Sequence, residues 1–139
     1  MKKYLIISHG NFAIGIADTL KLFLGENHPF HAISAYTNGN DNIDEMIAAF
    51  MDTVAEEDEL LICSDISGGS VNQKMMTYLN RPKTYILAGM NLPMLLQLAM
   101  IAQDREITID DCRLCISEAK EGLVLVNDLM QQNNTDIDE

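Results

Sequence analysis

Basic residues are scarce in this 139-residue sequence, which has 9 Lys and Arg against 21 Asp and Glu and a formal net charge of −12. An acidic surface repels the phosphate backbone of nucleic acids, so this balance argues against a nucleic-acid-binding protein. The same charge favours a protein partner that presents a basic patch, because opposite charges steer two proteins together.

Long apolar runs and cysteine pairs are also missing. No apolar run approaches the roughly 20 residues that a membrane span needs. The apolar part of the N-terminus covers only residues 4–7, which is shorter than the roughly 7–15 residues of a secretory signal peptide. Three cysteines, an odd number, fit a reducing compartment better than a disulfide framework. We therefore expect a cytoplasmic protein.

The sequence contains no internal linker, repeat or low-complexity segment, and its length is that of one domain. We expect this domain to cover residues 1–130. The polar and acidic residues 131–139 are expected to form a disordered tail.

Four short apolar runs predict β-strands. Three of them are continuous apolar stretches without strict alternation, which is typical of strands buried on both faces of a parallel sheet. The second run is more mixed, which favours a position toward an edge. The runs are residues 4–8, 30–36, 59–64 and 84–88.

Helical patterns follow each of these runs. Apolar residues recur at helical spacing after the first two runs, at Ile14, Ala17, Leu20 and Leu24 and then at Ile43, Met46, Ile47, Phe50 and Val54. After the third run, Ser70 and Gln73 have the spacing of a capping box, which predicts a helix start at Ser70.

Two further helices are indicated by their caps. Asn91 with Pro93 predicts a helix that runs to about Gln103. Thr108 opens the last helix, and Gly122 is its expected end. The order β-α repeated four times predicts a single-domain, doubly wound α/β fold with a mainly parallel sheet of about four strands. Residues 123–126 fit a further short strand or more helix.

Open α/β sheets bind ligands beyond the carboxyl ends of their strands, where the strand order reverses. His9 is the only histidine at such a position, and a histidine there can act as base, ligand or nucleophile. Asp65 ends a strand that normally lies beside the first. We expect Nδ1 of His9 to face Asp65, which leaves the lone pair of Nε2 free to attack phosphorus.

Gly68, Gly69 and Ser70 precede a predicted helix and predict an anion cradle. Glycines let backbone N–H groups approach a phosphate closely, and a helix N-terminus favours negative charge. Gly10 similarly clears space beside His9. No Lys or Arg lies among these residues, so the site would hold phosphate weakly, which suits a carrier better than a kinase.

Three segments at matching spacings carry a family resemblance: residues 7–13, residues 65–72 and residues 88–95. Their sequences are Ile-Ser-His-Gly followed by Ala13, then Asp-Ile-Ser-Gly-Gly-Ser-Val-Asn, then Ala-Gly-Met-Asn-Leu-Pro-Met-Leu. Together they resemble the IIA domain of the mannose/fructose/sorbose family of the bacterial sugar phosphotransferase system (PTS). The resemblance covers nearly the whole chain.

The resemblance implies that phospho-HPr donates a phosphoryl group to His9, forming tele-phosphohistidine, and that a histidine of a IIB component accepts it. It implies that Asp65 orients His9. With the cradle above, the expected phosphate-binding residues are Gly10, Gly68, Gly69 and Ser70, and Asn72 and Asn91 are possible pocket residues. Neither a metal nor a cofactor is expected.

The family fold implies a homodimer that exchanges a C-terminal strand, for which residues 123–126 are the candidate. No IIB domain is attached in this sequence. One departure concerns the helix start: the family often has Gly-Gly-Ser-Pro-x-Asn, whereas here Val71 replaces the proline and Asn72 follows directly.

Other functions were weighed against this one. The phosphocarrier domain of dihydroxyacetone kinase systems shares the fold, but carries Gly-Ser-Ala where this chain has Gly-Gly-Ser. A tetrapyrrole metal chelatase would need a second ligand facing His9, and His28 and His31 lie at the wrong end of the predicted sheet. A non-catalytic flavodoxin-like regulatory module remains an alternative, although residues 11–13 do not supply a flavin phosphate loop.

Cys112 and Cys115 lie within a predicted helix, so we expect them to be structural.

Overall fold

The computed structural model describes residues 1–37 and 42–131. All but the first residue of the expected tail, residues 131–139, therefore lies outside the described residues. Within the described ranges, none of the helices combines the length and the apolar character that a membrane span requires.

Strands and helices alternate along the chain, as the sequence predicted. The elements, in chain order, are β1 (Lys2–His9), α1 (Phe12–Leu24), β2 (Phe30–Ala35), α2 (Ile43–Met51), β3 (Glu59–Ser64), α3 (Ser70–Met76) with a 3₁₀ turn (Thr77–Asn80), β4 (Thr84–Ala88), α4 (Leu92–Ala99) and α5 (Ile109–Glu121).

The four strands form one parallel sheet in the order β2-β1-β3-β4, so the predicted α/β fold is confirmed. The chain moves from β1 to β2 on one side and then returns to place β3 on the other side. The strand order therefore reverses between β1 and β3, where Ile7 lies opposite Ser64. This register brings His9, the last residue of β1, and Asp65, the residue after β3, to the same edge of the sheet.

Alternate residues of the central strands face two separate hydrophobic clusters. Ile6 and Leu61 face the cluster covered by α1, α4 and α5. Leu5 and Ile62 face the cluster covered by α2 and α3. All four side chains are fully buried, and each contributes roughly 1.5–3 kcal/mol relative to an exposed position. The sheet is therefore a rigid base for the groups at its carboxyl edge.

Cys112 and Cys115 lie in α5 and face the first of these clusters as free thiols. Burial raises the pKa of Cys112 to about 12 and also raises the pKa of Cys115. Since the thiolate is the reactive form, these pKa shifts make both side chains poor nucleophiles at neutral pH.

Several element ends differ from the predictions. The first strand is longer than residues 4–8, while β2 ends at Ala35 because Tyr36 adopts a positive φ of 60°. Helix α2 ends at Met51, before Val54. Helix α4 ends at Ala99 and not near Gln103, because the backbone N–H groups of Met100 and Ile101 bond to carbonyls three residues earlier and so close the last turn. Beyond this turn, the buried Lys2 ammonium donates to the backbone carbonyls of Gln103 and Arg105.

The predicted start and end of α5 are confirmed. Thr108 and Asp111 form a reciprocal capping box, and Gly122 follows the last helical turn. Residues 123–126 form no strand within this chain: residues 123–125 lack regular structure, and a helical segment covers residues 126–131.

Candidate functional site

The turn between β1 and α1 turns His9 out of the sheet. The Ser8 hydroxyl is buried and accepts a hydrogen bond of 2.7 Å from the backbone N–H of Ala13, which fixes the start of α1. The backbone N–H of Gly10 donates to the carbonyl of Ala35 at 2.7 Å, which ties the turn to β2. The His9 side chain is 36% exposed. A partner molecule can therefore reach the ring.

Asp65 holds both the backbone and the ring of His9. Its Oδ2 accepts from the backbone N–H of His9 at 2.9 Å and lies 3.0 Å from Nδ1 of the ring. Its Oδ1 accepts from the backbone N–H of Ile66 at 3.0 Å. An ionised carboxylate only accepts hydrogen bonds, so in the neutral ring Nδ1 carries the proton and Nε2 carries the lone pair.

Two opposing effects set the pKa of Asp65. Partial burial acts to raise it, but the hydrogen bonds from the backbone and the ring of His9 outweigh this effect. The net result is a pKa below the ordinary value, so the carboxylate is charged at neutral pH.

Ser70 lies on the opposite side of the imidazole from Asp65. Its Oγ is 3.2 Å from Nε2 of His9. The predicted capping box at Ser70 is wrong: Gly69 occupies the N-cap position, no side chain caps the helix, and Ser70 is the first residue of α3. This one-residue shift frees the hydroxyl to point at the imidazole and away from the helix backbone.

Tyr36 was not among the predicted site residues. Its ring centroid lies 5.7 Å from that of His9, and its hydroxyl lies 3.1 Å from Oγ of Ser70. The side chain is 44% exposed. The sequence feature that could have indicated Tyr36 is its position directly after β2, because the carboxyl end of β2 lies beside that of β1.

The glycines after β3 leave room for the imidazole. Gly68 has a φ of +77°, a conformation that other residues rarely adopt. A Cβ atom at Gly69 would lie 3.0 Å from Cε1 of His9 and 3.1 Å from the side chain of Ile66. Only glycine therefore fits at position 69 without displacing a neighbouring side chain.

The two candidate pocket residues form hydrogen bonds within the scaffold. The Asn72 side chain is buried and its Oδ1 accepts from the hydroxyl of Ser64 at 3.0 Å. The Asn91 side chain caps α4, as predicted, by accepting from the backbone N–H of Met94 at 2.9 Å. Both amides thus fix the segments that follow β3 and β4.

The imidazole lies on an open surface that includes exposed apolar side chains. Phe12 and Ile66 are 48% and 54% exposed. A cavity of about 700 Å³ lies instead at the amino ends of the strands, where His31 and Phe50 contribute to its lining. In the described part of the chain, no three His, Cys, Asp or Glu side chains are grouped so as to hold a metal ion.

Comparisons with known proteins identify the family of the chain. Residues 3–113 match the EIIA-man family model, which is described as the PTS system fructose IIA component. A structure from Klebsiella pneumoniae, assigned as a phosphoenolpyruvate-dependent sugar PTS permease, is 29% identical, covers 93% of each chain and has a TM-score of 0.84.

Two streptococcal structures are also similar. The phosphotransferase system component EIIA from Streptococcus agalactiae is 27% identical over 91% of this chain and 98% of its own, with a TM-score of 0.74. A PTS IIA protein associated with the fucose utilization operon of Streptococcus pneumoniae is 25% identical over 93% of this chain and 96% of its own, with a TM-score of 0.75.

Proposed function

Since the chain belongs to the EIIA-man family of PTS IIA components, we propose that it accepts a phosphoryl group from phospho-HPr on Nε2 of His9 and passes it to a IIB component. The observation that carries this proposal is the contact of 3.0 Å between Nδ1 and Asp65. It favours a neutral ring with the proton on Nδ1, which leaves the lone pair that attacks phosphorus on Nε2.

The proposed transfer forms one N–P bond as another breaks. The Nε2 lone pair attacks phosphorus, and the nitrogen of the donor's phosphohistidine recovers the bonding electron pair. The His9 ring becomes more positive as the new bond forms, and the Asp65 carboxylate offsets this charge while keeping its hydrogen bond to Nδ1.

Gly10, Gly68, Gly69 and Ser70 are the proposed phosphate-binding residues. The glycines give the phosphoryl oxygens room beside the ring, and the Ser70 hydroxyl lies 3.2 Å from Nε2. No Lys or Arg takes part in this set, so the bound group is held loosely. A loosely held phosphoryl group is what a carrier needs to release it to the next protein.

The surface around His9 supports a protein as donor and acceptor. Exposed Phe12 and Ile66 offer apolar contacts, and the net charge of −12 favours a basic partner surface. The proposal includes a cytoplasmic location, because the three cysteines are free thiols, the state that a reducing compartment maintains.

We also propose that two copies of the chain exchange their C-terminal segments in a homodimer. Residues 123–126 are apolar and between 48% and 87% exposed in the single chain, and β4 is an edge strand whose outer side has no strand partner among residues 1–37 and 42–131. Light scattering with size-exclusion chromatography tests this: the full chain should run at twice the mass of a chain that ends after Gly122. A monomeric full chain would contradict the exchange.

The phosphocarrier proposal is tested by intact mass. The protein is mixed with phosphoenolpyruvate, enzyme I and HPr, and one acid-labile phosphoryl group should appear. His9→Ala should take up none, whereas His28→Ala and His31→Ala should match the wild type. Asp65→Asn should be phosphorylated about 10- to 100-fold more slowly, as expected for the loss of a charge-assisted hydrogen bond.

No uptake by the wild type with active upstream proteins would point to a regulatory module without carrier activity. Uptake that persists in His9→Ala would keep the carrier function but contradict the assigned residue.

A further inference from the structure

We infer that Tyr36 is a positioning residue for phosphoryl transfer at His9, acting through the hydroxyl of Ser70. The inference rests on the proposed function of His9 and adds to it a residue outside the three motifs that carry the family resemblance. Two contacts support it: the distance of 3.1 Å from the Tyr36 hydroxyl to Oγ of Ser70 and the distance of 3.2 Å from that oxygen to Nε2.

The hydrogen bonds of the site run in a single direction. Asp65 accepts the proton of Nδ1, so Nε2 is an acceptor. The Ser70 hydroxyl must then donate to Nε2, which leaves its oxygen free to accept from the Tyr36 hydroxyl. Each hydroxyl donates one hydrogen bond and can accept others. This assignment therefore gives the protons of Nδ1, Ser70 and Tyr36 one acceptor each.

The backbone of Tyr36 is unusual in a way that fits such a role. Tyr36 and Lys83 are the two non-glycine residues with a positive φ in the described parts of the chain. For a bulky side chain this conformation is strained, and strained residues persist where the surroundings hold them, often at functional sites. At Tyr36 the strained turn brings the ring to His9 and the hydroxyl to Ser70.

Phosphorylation changes what these hydroxyls can bind. Once Nε2 is bonded to phosphorus, its lone pair no longer accepts the Ser70 proton. Ser70 can instead donate to a phosphoryl oxygen while Tyr36 continues to donate to Ser70. Tyr36 thus orients Ser70 both before and after transfer.

A double-mutant cycle tests whether Tyr36 acts through Ser70. The kcat/KM for uptake from phospho-HPr is measured for the wild type, Tyr36→Phe, Ser70→Ala and the double variant. When Ser70 is present, we expect Tyr36→Phe to lower kcat/KM about fivefold, which corresponds to the loss of one neutral hydrogen bond. In the Ser70→Ala background the same change should have less than about a twofold effect, because residues that act as a unit are not additive.

Tyr85→Phe is the matched control. Its hydroxyl donates to the carbonyl of Ile107 at 3.0 Å, away from the site, so its loss should leave kcat/KM unchanged. A fivefold effect of Tyr36→Phe that persists in Ser70→Ala would overturn the inference, as would no effect in the wild type.

A spectroscopic measurement separates this inference from the carrier function. The ¹⁵N resonance of Nε2 in the unphosphorylated protein should move toward the value of a free lone pair in Tyr36→Phe and further in Ser70→Ala, while Nδ1 keeps its proton. If the resonance is unchanged in both variants, the inference fails even where the wild type is phosphorylated. If the resonance moves but the wild type takes up no phosphoryl group, the contact exists and the carrier function fails.

Discussion

At the scale of single residues, one carboxylate oxygen controls the orientation of the imidazole. Oδ2 of Asp65 accepts from both the backbone N–H and the ring Nδ1 of His9. Rotation of the ring would lose one of these bonds while the other still held the backbone in place. The direction of the Nε2 lone pair is therefore a consequence of where β3 ends relative to β1.

This arrangement predicts a specific pH dependence of stability. The pKa of Asp65 is lowered in the folded state from its ordinary value of 3.8, because the His9 hydrogen bonds outweigh partial burial. A depressed pKa contributes stability that is complete above the unfolded-state pKa and is lost as pH falls through the folded-state pKa.

The variant Asp65→Asn isolates this contribution, since other acidic groups cancel in the comparison. We expect the wild type to exceed the variant in free energy of unfolding at pH 5, and this excess to shrink as pH falls below about 4. Urea denaturation of both proteins between pH 5 and pH 3 measures it. An excess that is the same at pH 3 as at pH 5 would show that the Asp65 charge does not stabilise the fold.

The sequence allowed the neighbourhood of His9 and Asp65 to be predicted, because neighbouring parallel strands end at the same edge of a sheet. The role of Tyr36 could not be predicted from the strand order. Its contact depends on a positive φ at a bulky residue, which no spacing rule indicates. At Ser70 the sequence predicts both a phosphate-binding hydroxyl and a capping box, because the pattern does not reveal whether Gly69 or Ser70 takes the N-cap position.

At the scale of elements, the loop between β3 and α3 must approach the imidazole closely. A methyl group at Gly69 would lie 3.0 Å from the His9 ring, so Gly69→Ala should displace the ring and slow phosphoryl uptake by about tenfold. The fold should persist, because the φ of Gly69 is −77° and suits alanine.

Gly15→Ala provides the matched control. Gly15 lies within α1, and a Cβ atom there would meet nothing within 4 Å. This change should raise the free energy of unfolding by about 0.5–1 kcal/mol and leave uptake unchanged. Thermal denaturation and the uptake rate are measured for both variants. Equal uptake rates in the two would mean that the ring tolerates a side chain at position 69.

The existence and order of the elements followed from the sequence, whereas some of their ends did not. Short apolar runs located all four strands, and the caps at Asn91 and Thr108 were correct because their side chains bond only to nearby backbone. Helix α4 ends earlier than predicted, and the segment beyond it bonds to Lys2, which lies about a hundred residues away in sequence. Local patterns carry no information about such a contact.

At the scale of the whole molecule, the two ends of the sheet have different tasks. The carboxyl ends carry His9 and its contacts. At the amino ends, Lys2 and Glu59 form a buried ion pair at 3.8 Å, and Oε2 of Glu59 accepts from the backbone N–H of Ile107 at 2.7 Å. These contacts tie the segment between α4 and α5 to the sheet.

Stability and phosphoryl transfer should therefore separate in Glu59→Ala. The change leaves the Lys2 ammonium buried without its carboxylate and the N–H of Ile107 without its acceptor, which should cost about 3–5 kcal/mol of unfolding free energy. The rate of phosphoryl uptake at 25 °C should be unchanged in the protein that remains folded. Urea denaturation and quenched-flow uptake measure the two quantities, and a slowed uptake would show that the two ends are coupled.

The conformation of the exposed C-terminal residues could not be predicted from the sequence. Their apolar character suits either a strand or a helix, and under the proposed exchange the choice depends on whether a second copy of the chain offers a sheet edge. Residues 123–126 could therefore be singled out but not assigned a conformation.

The most direct test of the account is to identify the phosphorylated nitrogen. Protein labelled with ¹⁵N in its histidines is phosphorylated through enzyme I and HPr, and long-range ¹H–¹⁵N correlation spectra are recorded before and after. The account predicts that Nε2 of His9 alone acquires the shift and the phosphorus coupling of an N–P bond, while Nδ1 keeps its proton. Phosphorylation at Nδ1, or at another histidine, would contradict it.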